Sequence, residues 1–246
     1  MLFSAKAQLK AEVSNSYLNW LWWILEPICF TILYVFIFQV LFKTKEPHFP
    51  VFVMTGLAVW NYFNKTVNNS VKLIQKNRSV VTKIYVPKFV FVLVDMFINT
   101  FKMFISFGII LIMMILYRVP FEWTILYIIP LLLVLNVLIF GFNTILLHFG
   151  VFVGDLSNIM NIFMRFLFYL SGIFYSVATR VPGNYGKLLL KINPAALIIN
   201  EARNVLLYGK VPRFKLLGAW LVLGLLLSCV GVWVIYKNEN SYAKVI

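Results

Sequence analysis

Acidic residues are scarce: eight Asp and Glu stand against 22 Lys and Arg, for a net charge of +14. Asp95, Glu122 and Asp155 are each isolated, so no close carboxylate pair is available to hold magnesium. A membrane-embedded prenyl or phosphatidyl transferase that depends on such a metal therefore has no visible centre. A phosphate-cradling GxxxxGK[ST] loop is also missing, since the nearest string, GNYGKL at 183–188, has the wrong spacing. The chain cannot hydrolyse ATP by that route. His48 and His148 are single, and Cys29 and Cys229 both sit in apolar runs. A small buried hydrophobe explains each cysteine better than a disulfide framework does. No catalytic residue and no metal ligand set is expected.

Charge of either sign is low as well. Only 12% of the 246 residues are charged and 62% are apolar, which excludes an ordinary soluble domain and implies an integral membrane protein. The basic surplus suits anionic lipid headgroups or a phosphorylated substrate, and nucleic acid is not an expected partner. Aromatic residues are plentiful, with 24 Phe, 12 Tyr and 7 Trp, more than lipid anchoring at two interfaces calls for.

A spanning helix needs about 20 mostly apolar residues. That test predicts an all-α chain with six transmembrane helices, near 20–42, 51–71, 91–117, 124–149, 158–177 and 214–236. Residues 1–19 mix Leu2, Phe3, Leu9 and Val13 with Lys6, Lys10 and Glu12, which suits an amphipathic helix lying in the membrane interface. No small-residue cleavage pattern follows a short apolar core, so no cleaved signal peptide is expected. The chain is thus one transmembrane domain, 1–246: the interfacial helix, spans 1–5 within 20–177, a connection 178–213, span 6, and a tail 237–246.

The stretch from Lys65 through Lys72, Lys76, Arg78 and Lys83 to Lys88 contains no acid. The positive-inside rule makes that loop cytoplasmic, and six spans then place both termini inside. Parity puts 178–213 outside, although Arg180, Lys187, Lys191, Arg203, Lys210 and Arg213 oppose only Glu201 there. Two short re-entrant helices resolve the conflict. Asn193 can cap a helix that Pro194 opens and Gly209 closes, burying Ile198, Ala202 and Val205 on one side, and Pro182–Gly183 permits a preceding helix over 185–192. The basic residues then ride at the outer headgroup level, either meeting an exported anion or anchoring the hairpin.

Span 2 is the most polar. Asn61, Asn64, Asn68, Lys72 and Gln75 recur at helical spacing, implying either interhelical hydrogen bonds or a substrate path. Glu26, Phe30, Tyr34 and Phe38 form a stripe on span 1, and Phe163, Phe166 and Tyr169 form another on span 5. Aromatic faces suit sugar rings, and they also suit ordinary packing. Span 3 places Asp95, Asn99 and Lys102 on one face. Arg165 lies inside span 5 and can meet a lipid phosphate or snorkel to the interface, and Asp155 is positioned to cap that helix.

Six segments in this order resemble the membrane subunit of ATP-binding-cassette exporters of the O-antigen and wall-teichoic-acid type. They are SYLNWLWWILEPICFTILYVFIF at 16–38, FVMTGLAVWNYF at 52–63, KIYVPK at 83–88, FVGDLSNI at 152–159, SGIFYS at 171–176 and NPAALIINEARNVLLYG at 193–209. The resemblance implies a homodimeric permease in the bacterial cytoplasmic membrane that moves an undecaprenyl-diphosphate-linked polysaccharide or teichoic acid outward. It implies two separate ATPase subunits that bind ATP and Mg, with no cofactor in this chain. It puts the ATPase contact at the interfacial helix and at Lys76, Arg78, Lys83, Tyr85 and Lys88. It also lines the channel with spans 1 and 5, which adds weight to Tyr34, Phe38, Phe166 and Tyr169 among the channel candidates Glu26, Phe30 and Phe163; Arg165 and Lys10 are diphosphate-contact candidates from their charge and position alone, not from the resemblance. A drug or lipid exporter of the same superfamily and a membrane transferase remain the alternatives.

Overall fold

The computed structural model describes residues 5–6, 8–10, 18–44, 46–239 and 241–242. Among them there is no strand. The longer helices are α1 (Trp22–Val35, continued by a π-helical segment Phe36–Leu41), α2 (Phe49–Ser70), α3 (Phe89–Leu116), α4 (Ile128–Phe152, preceded by a 3-10 turn Trp123–Tyr127) and α5 (Leu156–Leu170). They are followed by α6 (Tyr185–Ile192), α7 (Pro194–Leu207) and α8 (Phe214–Lys237). Single helical turns at Leu73–Lys76, Arg78–Val81 and Val177–Arg180 fill the connections.

Among the described residues, four stretches are long and apolar enough to cross a membrane: Trp22–Leu41, Phe89–Leu116, Trp123–Phe152 and Phe214–Lys237. The other two expected spans depart from that standard for different reasons. Helix α2 has the length, at 22 residues, but carries the amides of its C-terminal half. Helix α5 is apolar but only 15 residues long, because the chain turns at Gly172 with φ +67° where continuation to 177 was expected. Most of the interfacial helix expected over 1–19 lies outside the described residues. Of the described part, Ala5 and Leu9 pack on Val90, Val94 and Ile98 at the start of α3, while Lys6 and Lys10 are exposed.

Helix α2 is the axis of the fold. Seventeen of its 22 residues are buried, and α1, α3, α4, α5 and α7 all pack against it. Its start is fixed by His48 in a left-handed conformation (φ +48°) and by Pro50 in the first turn, where a missing N–H costs nothing. Helices α4 and α8 form the closest pair. Along α8 the buried residues are Leu217, Gly224, Gly231 and Ile235, a seam with mostly seven-residue spacing. A Cβ on Gly224 would lie 3.1 Å from the Leu138 backbone, so the absent side chain is what lets the two helices approach.

The connection from α5 to α8 folds as two short helices, with α6 at the predicted bounds and α7 closed by Gly209 at φ +58°. Asn193 caps α7 as expected: its side-chain oxygen accepts from the N–H of Ala195 and Ala196 at 3.0 and 3.2 Å. Asp155 precedes α5 but makes no side-chain cap, because its backbone is already helical. Both cysteines are free and, against expectation, exposed on this chain, since their helix faces point away from the bundle.

Candidate functional site

The polar residues of α2 do not form a single stripe in space. Successive helical residues turn by about 100°, so Asn61 and Lys65 fall on one side with Ala58 and Tyr62, while Trp60, Asn64 and Asn68 fall about 120° further round. Each side becomes one wall of a separate cavity.

The second cavity, about 400 Å³, lies between α2 and α5 and is lined by Trp60, Asn64, Asn68, Asn161, Met164, Arg165, Phe168 and Tyr169. Asn68 donates to Asn64 at 2.8 Å, yet its own carbonyl oxygen is buried without a partner among the described residues. Buried amide oxygens are seldom left unsatisfied, so this one is suited to a donor that is absent here. Arg165 and Tyr169, named from sequence, do meet in this groove; Asn161, Trp60 and Phe168 were not singled out. Arg165 is exposed on α5, and Phe166 and Tyr169 are each 67% exposed, which leaves a bare aromatic face on the same helix. Phe163 is exposed too, on the side of α5 that borders an apolar cavity with Phe142, Leu189 and Trp220.

The two aromatic stripes do not face each other directly. Tyr34 and Phe38 of α1 both pack on Phe174, with ring centroids 4.5 Å apart in each pair, and Phe174 in turn meets Phe168 at 5.4 Å. Phe168 lies edge-on to Trp60 at 5.5 Å. A continuous aromatic seam therefore runs from α1 through the turn after α5 to the α2–α5 groove. Phe174 belongs to the SGIFYS segment, but no periodicity marks it, because it sits in a turn. Glu26 is separated from this seam. It faces Lys65 at 3.3 Å in the first cavity, about 370 Å³, between α1, α2 and α3. Phe30 stacks on Tyr34 at 6.2 Å and is itself exposed.

The basic residues divide just as sharply. Arg180, Lys187 and Lys210 are exposed, with Arg180 4.0 Å from Glu46. Arg203 is not a headgroup residue: it is 3% exposed and donates to the carbonyls of Phe52, Gly172 and Ile173 at 3.1, 2.7 and 2.7 Å. Its guanidinium also covers the Phe52 ring at 3.4 Å. Helix α7 is buried on more than the one face expected, because Glu201, fully buried, pairs with Arg213 at 2.6 Å. The correction has a simple cause: α7 is wedged between α2, α4 and the turn after α5, which leaves no wet side for Arg203.

In the loop between α2 and α3, Lys76, Arg78, Lys83 and Tyr85 are exposed. Lys88 leaves that accessible set, being 5% exposed and turned onto Glu239 at 3.3 Å. Tyr85 donates to the same carboxylate at 3.0 Å, and this hydrogen bond raises its pKa. The tail is held a second time by Tyr242, whose hydroxyl lies 2.8 Å from His148 Nδ1. Asp95, expected on one face with Asn99 and Lys102, accepts from Asn69 at 2.9 Å and Asn99 at 3.1 Å.

The chain was also compared with known proteins. The family profile of the ABC-2 type transporter matches residues 3–207. An O-antigen export system permease protein RfbA of Klebsiella pneumoniae is 24% identical over 241 residues, covering 97% of this chain and 91% of that protein. A second Klebsiella pneumoniae RfbA is 23% identical over 239 residues, again covering 97% and 91%. The protein of the same description from Myxococcus xanthus is 22% identical over 237 residues, covering 96% and 91%.

Proposed function

The chain belongs to the ABC-2 type transporter family, and from that premise we propose that it is the permease half of an exporter of lipid-linked polysaccharide. The observation that carries this reading is the α2–α5 groove. It combines ring-stacking surfaces (Trp60, Phe168, Tyr169), amides that hydrogen-bond hydroxyls (Asn64, Asn68, Asn161) and one guanidinium suited to phosphate (Arg165). Similarity over nearly the full chain to proteins described as O-antigen export permeases supports the same substrate class.

The substrate on this reading is an undecaprenyl-diphosphate-linked O-antigen or teichoic acid, moved from the cytoplasmic to the outer side of the bacterial inner membrane. Helices α1 to α5 and α8 make six spans with both termini cytoplasmic, and α6 and α7 re-enter from outside. A second copy covers the bare aromatic face of α5, and two separate ATPase subunits bind ATP and Mg and dock on the loop carrying Lys76, Arg78, Lys83 and Tyr85. Lys10 and the exposed Arg180, Lys187 and Lys210 are placed by this topology at the two headgroup levels.

The test is complementation of a deletion strain with Arg165→Gln and with Tyr169→Ala. Surface polymer is expected to fall about tenfold or more for Arg165→Gln, the size of one lost charged hydrogen bond. Binding of polyprenyl-diphosphate glycan by the purified complex no better than an unrelated lipid would remove the proposal. In that event a drug or lipid exporter of the same family becomes the better reading.

A further inference from the structure

The chain does not leave the bundle where α8 ends. Asn238 closes the helix, its side chain donating to the Val234 carbonyl at 2.9 Å, and a short helical turn follows in which the Ser241 N–H donates to the Asn238 carbonyl at 3.0 Å. Glu239 and Tyr242 are three positions apart in that turn, the spacing that puts two side chains on one side of a helix. The Glu239 carboxylate, largely buried, holds two residues of the α2–α3 loop: Lys88 Nζ at 3.3 Å and the Tyr85 hydroxyl at 3.0 Å. Lys88 Nζ in turn lies 5.3 Å from the Tyr85 ring centre, and Phe89 packs on Tyr236 at 5.9 Å. Tyr242, fully buried, reaches the end of α4, with its hydroxyl 2.8 Å from His148 Nδ1 and its ring 6.0 Å from that of Phe152.

Two elements far apart in the chain are thereby joined through one turn. The first part of the loop packs on α4 directly, through Leu73–Lys76. Its last part, which carries Tyr85 and Lys88, is tied to α4 by way of the tail. Beyond Phe152 only Val153, Gly154 and Asp155 precede α5, so a shift at the end of α4 moves the base of the helix that carries Asn161, Arg165 and Tyr169. A largely buried ion pair loses most of its attraction to desolvation, and what it fixes best is position. We propose that Glu239 and Tyr242 are positioning residues that form a brace between the ATPase-docking loop and the α4–α5 turn, so that displacement of the loop is delivered to the base of the α2–α5 groove. The brace rests on the reading of this loop as the ATPase dock.

The test is backbone hydrogen exchange of the full chain with its ATPase partner in nanodiscs, with and without ATP. In wild type, ATP is expected to change exchange over both 83–88 and 153–160. Glu239→Gln should keep the response at 83–88 and lower that at 153–160 roughly tenfold, the weight of one charged hydrogen bond. Tyr242→Ala, which cuts the other end, should do the same. Lys88→Glu should also break the link, and Lys88→Glu combined with Glu239→Lys should restore it. Lys88→Met combined with Glu239→Leu leaves no lone buried charge, which covers single variants that fail to fold, and should show the same loss at 153–160. A purely structural contact predicts instead that these variants lower the unfolding temperature while transmitting as wild type does, and that result would overturn the proposal. A wild-type response confined to 83–88 would also overturn it. No wild-type response at 83–88 would remove the docking reading and the brace with it. Surface polymer in the Arg165→Gln strain tests the glycan reading separately, so failure of one is told from failure of the other.

Discussion

Helices α2 and α8 are of similar length and opposite character. Helix α2 is the more polar, with four Asn and a Lys in its last ten residues, and it is buried almost throughout. Helix α8 is strongly apolar and shows most of its surface, burying Leu217, Gly224, Gly231 and Ile235. In water the assignment would be reversed. In a bilayer the hydrocarbon is as apolar as a leucine side chain, so burying leucine gains little, while hiding amides and charges avoids a large cost. The polar helix therefore takes the centre, and the apolar one faces lipid. Stability should then be concentrated in polar contacts on α2 and in close packing at the α8 seam.

The sharpest way to break that contrast is Arg203, the bolt between α7 and α2. Arg203→Met leaves the carbonyls of Phe52, Gly172 and Ile173 buried without donors. The expected loss is about 3–5 kcal/mol, read as a fall in unfolding temperature of the purified protein. A shift no larger than that of a lipid-facing α8 substitution would mean that polar burial is not what holds α2 at the centre.

Arg203 also shows where sequence reading stopped. The periodicity that buried Ile198, Ala202 and Val205 was correct, and so were the Asn193 cap, the α6 bounds and the glycine closure, because all of these depend on residues close in sequence. The burial of Arg203 depends on carbonyls about 30 and 151 positions away, which no local pattern contains. The same limit applies to Lys88, which reads as one more basic loop residue until Glu239 reaches it from the tail. In the candidate site, Arg165 and Tyr169 were legible as an unusual charge and an aromatic on one helix. That α2 offers two polar walls became visible only when α1 and α5 were seen to occupy different sides of it.

Packing at the seam is the second test. A Cβ added at position 224 would lie 3.1 Å from the Leu138 backbone, so Gly224→Leu forces α8 away from α4. The expected cost is about 2–3 kcal/mol, with a matching fall in the unfolding temperature. No effect would show that α8 is held by lipid alone. A smaller loss is expected from Asn69→Ala, which removes the 2.9 Å donor to Asp95 between α2 and α3. Interhelical hydrogen bonds of this kind contribute about 1–2 kcal/mol at most in a bilayer. A cost as large as that of Arg203→Met would place the centre of the polar network at Asp95 and away from α7.

The smallest expected effect sharpens the comparison most. Leu226 lies on the exposed flank of α8, 59% exposed, between the seam residues Gly224 and Gly231. In a soluble protein an exposed leucine of this kind would be a liability and its removal a gain. Here Leu226→Ala exchanges one lipid-facing apolar side chain for another, and the native and membrane-inserted unfolded chains lose the same lipid contact. The change in stability should stay within about 0.5 kcal/mol, with the unfolding temperature unmoved beyond error. A loss near that of Gly224→Leu would show that this flank is packed against protein.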